Sequence, residues 1–156
     1  MSMPLTPADD VAAGIAAAGL GWVPGQNLFI SDVLPEVQSD QPNTGAPARA
    51  VFVLAAGGYA TPTRYEQDTY RNKGAGVQAR EPRVMVYIRS PREGYWTGLT
   101  DARAVRDAIH DLPLTCSATG ADYDACRVVD AEPMLLSVDD NGSSLFSINV
   151  HLYYDA

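Results

Sequence analysis

The chain has 156 residues, 46% of them apolar, with nineteen acids against eleven bases and a formal charge of −8. That length supports one domain with a sizeable core, and the apolar fraction excludes wholesale disorder. The acidic balance excludes a free nucleic-acid binder held by phosphate contacts. No apolar run approaches the ~20 residues that a membrane helix needs, and the first residues lack the basic, apolar, small-residue plan of a secretion signal.

Thr6-Pro7-Ala8-Asp9 predicts a helix start: a capping hydroxyl, a proline suited to the first helical position, and an acid at the positive end of the dipole. Val11, Ile15 and Ala18 fall on one stripe, and Gly19 and Gly21 stop the helix. Its Ala-rich make-up predicts a small helix lying on a sheet. Leu28-Phe29-Ile30 reads as a short strand, and the prolines of 35–49 make that stretch an irregular loop. The β-branched run from Arg49 to Ala55 is a strand. A long polar loop is expected from Gly57 to Pro82, then a strand from Arg83 to Ile88 with Val84, Val86 and Ile88 on one face and Met85 and Tyr87 on the other.

A second helix is expected, capped by Thr100 or an earlier residue, with a start that could reach back to Glu93 and bring in Tyr95. Leu99, Ala102, Val105, Ile109 and Leu112 form its core stripe, and Pro113 ends it. After a loop over 115–125, three strands close the chain: Cys126 to Asp130, Met134 to Val138, and Leu145 to Tyr154. Asp139-Asp140-Asn141-Gly142 is the turn between the last two. In the final strand Phe146, Ile148, Val150, Leu152 and Tyr154 alternate with Leu145, Ser147, Asn149, His151 and Tyr153, the half-buried antiparallel pattern. The expected fold is therefore α+β: a single domain over 1–156, a mainly antiparallel β-sheet with two α-helices packed on one face, and a long loop between strands.

Charge is unevenly spread. Residues 1–48 carry five acids and no base, and residues 107–156 carry nine acids and only Arg127. Nine of the eleven bases fall within 64–106. Internal pairing on solvated faces explains such a split. So does a subunit whose basic face meets its neighbour's acidic face, a head-to-tail contact that closes into a ring when the rotation permits.

Residues that could carry chemistry are sparse. Cys116 and Cys126, ten apart with no flanking His, fit no zinc pattern and read as reduced thiols. His110, beside Asp111, and His151 read as solvated or hydrogen-bonded structural residues. Lys73-Gly74-Ala75-Gly76 has no phosphate-loop order, and Asp139 to Gly142 lacks a calcium loop's bidentate Glu. Asp122, Asp124 and Asp130 could pair as acid and base, with nothing in the sequence to fix them. The expectation is no catalytic, cofactor or metal site. What stands out is interleaved Tyr and Arg across 59–83, two residue types favoured at protein interfaces. The interface candidates are Tyr59, Arg64, Tyr65, Tyr70, Arg71, Lys73 and Arg80.

Four stretches carry a family likeness. Asn27 to Ile30 running into Pro35-Glu36 is a short strand with an acidic Pro-containing turn. Val53 to Tyr59 (VLAAGGY) is a strand entering a double glycine. Glu81 to Arg89 (EPRVMVYIR) is a Pro-Arg-led central strand. Pro133 to Leu136, Asp139 to Gly142 and Phe146 to Val150 make a closing hairpin. With this pattern the chain resembles the tail-terminator (minor capsid, tail-completion) proteins of long-tailed bacteriophages and related phage-like particles.

The resemblance implies a non-enzymatic virion subunit without cofactor, located at the head-tail junction and assembled in the host cytoplasm. It implies self-association, typically as a hexameric ring. The ring sits on the last ring of the tail tube, stops tube polymerisation and offers a docking face for the completed head. The implied partners are other copies of the chain, the major tail tube protein and a head-completion or connector protein. DNA would pass through the lumen without specific binding, helped by an acidic lining, and no membrane is involved. Within this reading the 64–83 loop, Arg71, Lys73 and Arg80 above all, contacts the tube or a neighbour. The alternatives are a head-completion or connector protein of the same particle, and a small cytosolic α+β enzyme.

Overall fold

A computed structural model of the chain describes residues 6–30, 48–60, 79–110, 123, 125–140 and 142–155. Its elements are α1 (Pro7–Ala17), β1 (Leu28–Ile30), β2 (Ala50–Ala60), β3 (Ala79–Arg89), α2 (Tyr95–Ile109), β4 (Ala125–Val128), β5 (Met134–Val138) and β6 (Ser144–Asp155). The six strands form one mixed sheet in the order β1-β2-β3-β6-β4, with β5 also on β6. β1 runs parallel to β2 and every other pair is antiparallel. The fold is α+β, as the element order leads one to expect.

Both helices pack on one sheet face. Ala8, Val11, Ala12 and Ile15 of α1 and Leu99, Ala102, Val105 and Ile109 of α2 join Val51, Val53, Val84, Val86, Ile88, Phe146, Ile148, Val150 and Leu152 in the main core. Each large aliphatic or aromatic group so buried contributes roughly 1.5–3 kcal/mol, so this layer is the principal source of stability. The α1 stripe differs from expectation at one end: Ala18 is the exposed C-cap, and Ala8 and Ala12 supply the contacts instead. At the N-terminus the Asp9 carboxylate accepts the Thr6 N–H at 2.6 Å and the Thr6 hydroxyl at 3.1 Å, so the two residues expected as cap and as dipole acid bond to each other across the first turn.

α2 begins at Tyr95, with Gly94 as N-cap. Thr100 is not a cap. It lies one turn inside the helix, and its hydroxyl donates to the Trp96 carbonyl at 2.8 Å. The helix ends at Ile109, before Pro113, because the chain turns extended at His110, whose Nδ1 accepts the Val128 N–H at 3.1 Å. Leu112 lies outside the described residues.

The central hairpin is longer than its sequence signals. β2 and β3 pair to Ala60 and Arg80, with a bulge between Ala55 and Gly58. Gly57 sits in the bulge at φ 77°, a conformation that costs a non-glycine residue roughly 1–2 kcal/mol. Residues 57–60 and 79–82, expected as loop, are thus strand; the double glycine bends the ladder rather than ending it.

The opposite face is not uniformly polar. Ala50, Phe52, Tyr87 and Leu145 form a second buried cluster flanked by Phe29, Leu54 and Met85. Phe29 stacks on Phe52 at 5.6 Å. Arg89 lies over the Phe52 ring at 5.2 Å and donates from Nε to the Ala48 carbonyl at 2.9 Å; burial lowers its pKa, partly offset by Asp139.

Candidate interaction surfaces

Two surfaces follow from this topology. The first lies at the end of the sheet where β2, β3 and β6 run on together. There the helix-free face changes from apolar to charged. Register places Arg83 opposite His151, and Arg127 of β4 opposite His151 from the other side. His151 Nδ1 lies 3.4 Å from Glu81 Oε1, both side chains largely buried. Tyr153 is hydrogen-bonded to Glu81; burial first, and that bond second, raise its phenol pKa. The result is a polar band, Arg127–His151–Glu81 with Arg83, in which His151 packs against Glu81 as a structural residue.

Two interface candidates from the sequence join this end. Tyr59 stands opposite Glu81, and Arg80 stands opposite Ala60 on one side and Tyr154 on the other. The ladder thus brings the start and end of the Tyr/Arg-rich segment together at one end of the sheet. Arg64, Tyr65, Tyr70, Arg71 and Lys73 lie outside the described residues, as do Asp122, Asp124 and Cys116.

The second surface is one that sequence reasoning missed. β4 and β5 occupy the same edge of β6, one after the other, separated by the 129–133 excursion. Asp130 fills that gap: its Oδ2 accepts the Asn149 N–H at 2.7 Å and lies 3.2 Å from Asn149 Nδ2. α2 braces the excursion through Arg106 Nε to the Asp130 carbonyl (2.8 Å) and Arg103 Nε to Glu132 (2.9 Å). Asp130 is therefore a partner of the Asn149 backbone N–H; Asp122 and Asp124, its candidate acid–base partners, lie outside the described residues. Beyond the gap, β5 exposes Met134, Leu135, Leu136 and Val138. Leu135 stands opposite Phe146, onto which Tyr95 packs at 5.5 Å. Tyr95 in turn meets Trp96 edge-on, and Trp96 is 74% exposed. The signal was present: Met134-Leu135-Leu136-Ser137-Val138 does not alternate, as a strand with one wet face should.

Several bases pair within the chain. Arg49 binds Asp101, Arg103 binds Glu132 and Arg106 binds Asp107, which favours internal pairing as the explanation of part of the charge split. Cys126 is buried, its thiol donating to the Ile109 carbonyl at 3.2 Å. Among the described residues no three His, Cys, Asp or Glu side chains converge as metal ligands, and no helix is long and apolar enough to cross a membrane.

No protein-family model matches the chain, and no curated protein matches it. Among solved structures it is similar to a chain of the virion of a native gene transfer agent particle. The TM-score is 0.57 at 13% identity, over 96% of this chain and 94% of that one. At that identity the likeness is one of fold, and it extends over nearly the whole length of both chains.

Proposed function

We propose that this chain is a structural protein of a phage-like virion, acting at the end of the tail. The observation that carries the reading is the near end-to-end fold likeness to a chain of a gene transfer agent virion. The surfaces support it: what the molecule offers is a charged sheet end, an apolar strand edge and an exposed tryptophan, features suited to protein contacts.

In this reading copies of the chain form a ring, a hexamer by the resemblance of the sequence to tail terminators. The ring caps the tail tube, ends its polymerisation and presents the docking surface for the head. Tyr59 and Arg80 lie at one end of the sheet, and the 64–83 stretch, Arg71, Lys73 and Arg80 above all, touches the tube or a neighbouring subunit. An acidic lumen, in keeping with the formal charge of −8, lets DNA pass by repelling phosphate.

The test is electron microscopy of the purified chain, alone and mixed with tail tubes of its own particle. Rings seated on tube ends are the expected result. Capture of portal-side components in preference to tubes would make it a head-completion protein. A monomer that ignores virion components would end the proposal.

A further inference from the structure

The apolar edge needs an occupant. β5 leaves Met134, Leu135, Leu136 and Val138 between 42% and 57% exposed, and Trp96 nearby is 74% exposed. Register places Leu135 opposite Phe146 and Val138 opposite Ser144. Phe146 belongs to the helix-side core, so Leu135 lies on the sheet face that carries α2, beside the Tyr95–Trp96 pair. Met134, opposite Ser147, lies on the other face, so the exposed apolar groups wrap around the strand edge, an arrangement that proteins keep for association. Asp139 and Asp140 follow this edge in the chain, Glu93 lies against Gly142 just beyond it, and Glu132 before it is paired with Arg103. That rim disfavours anionic lipid and nucleic acid and leaves a protein surface as the occupant.

The opposite end of the same sheet carries a second apolar surface. β1 ends in Ile30, half exposed, and the preceding turn exposes Val23 and Leu20. This surface is built rigidly. Val23 N–H donates to Asn27 Oδ1 at 2.6 Å, Asn27 Nδ2 donates to the Gly21 carbonyl at 3.1 Å, and the Gln26, Asn27 and Leu28 N–H groups converge on the Val23 carbonyl. An ordered apolar turn loses little entropy on association.

From these two ends we infer that the β5 edge, with Trp96 at its rim, docks against the β1 edge and the 20–27 turn of a second copy of this chain. The strand directions agree: β1 is parallel to β2, and the alternation through β3 and β6 leaves β5 antiparallel to β1. Copies set side by side with the same face inward therefore bring strands of opposite direction to each junction; the outward N–H and C=O of Leu28 are already bonded to Val23 and Gly25, so side chains make the contact and not a continued ladder. Because the two surfaces differ, the contact is head-to-tail, the kind that closes into a ring when the rotation permits. The inference rests on the ring reading above and supplies its lateral contact.

The experiment uses the full chain and sedimentation velocity across a concentration series, with circular dichroism to verify folding. One variant carries Leu136→Asp and Val138→Asp, a second carries Val23→Asp and Ile30→Asp, and a third is Trp96→Ala. Wild type should assemble and the first two variants should remain folded monomers. An equimolar mixture of those two should form a one-to-one dimer, since each keeps the surface the other lacks. Trp96→Ala, at a position too exposed to affect folding, should raise the association midpoint tenfold or more. If wild type forms rings and the β5 variant does so equally well, or the mixture forms no dimer, this contact is wrong while the ring stands. Should both double variants unfold, an unchanged midpoint for Trp96→Ala overturns it. A wild type that stays monomeric at every concentration removes both the contact and the ring.

Discussion

Arg49 and Asp101 face each other as a fork on a carboxylate, Nε to Oδ2 and Nη2 to Oδ1, both at 2.7 Å. The pair ties the start of β2 to α2, and the Arg49 guanidinium also lies 4.9 Å from the centre of the Trp22 ring. The hydrogen bond to Asp101 raises the Arg49 pKa, with burial opposing. Arg49 is about half exposed, so solvent discounts the attraction. Arg49→Lys, which keeps the charge and loses the fork, should destabilise by about 0.5–1 kcal/mol. Urea denaturation should show that loss shrinking as salt is added.

Gly98 should tolerate no side chain. A Cβ there would lie 2.6 Å from Ser90 Cβ and 2.9 Å from Phe146 Cε2. Alanine favours a helix interior over glycine by about 1 kcal/mol, but here α2 would have to lift from β6. Gly98→Ala is expected to destabilise by about 1–3 kcal/mol, net of that propensity gain. A denaturation midpoint at or above wild type would contradict the packing.

Asp130 should matter as an acceptor. Asp130→Ala strands the Asn149 N–H in the break between β4 and β5 and should cost about 1–3 kcal/mol. Asp130→Asn keeps an oxygen at that position and should cost less. Equal losses in thermal melts of the two variants would argue against the acceptor role.

Tyr153 should leave a mark on alkaline stability. Its folded-state pKa is raised, by burial and then by the Glu81 hydrogen bond. The native state therefore holds the phenolic proton more tightly than the unfolded chain. That contribution is fully present below about pH 10, the unfolded value, and is lost as pH rises through the folded pKa. Tyr153→Phe should lower stability at neutral pH and decline less steeply than wild type above pH ~10. Melting temperatures measured between neutral and alkaline pH distinguish the two slopes.

Much of this architecture is written in local pattern. Met134–Val138 and Leu28–Ile30 occupy the predicted spans, the strict alternation of 145–154 describes the ladder of β6, and the Leu99-Ala102-Val105-Ile109 stripe is the buried stripe of α2. Thr6 and Asp9 announce the first helix through an interaction only three residues long. Gly57-Gly58 reads as a loop until β3 supplies a partner that makes a bulge of it. Between Thr100 and an earlier residue as cap, the structure selects the earlier, Gly94.

The candidate surfaces divide in the same way. The Tyr/Arg enrichment of 59–83 is visible by inspection, but that Tyr59 and Arg80 belong to neighbouring strands at one sheet end is a matter of register. The apolar run of β5 is equally visible, yet a run of that kind normally marks a strand buried on both faces. Only its pairing with β6 at the margin of the sheet turns it into an exposed edge.

Alone, the sequence determined the alternating and helical periods, the acidic charge and the turn chemistry, because each depends on residues within a few positions of one another. The tertiary structure decided which strand lies at a margin, which base meets which acid, and that Phe52, Tyr87 and Leu145 form a second core on the far face. Those outcomes depend on strand order and register between segments dozens of residues apart, and no short-range pattern encodes them.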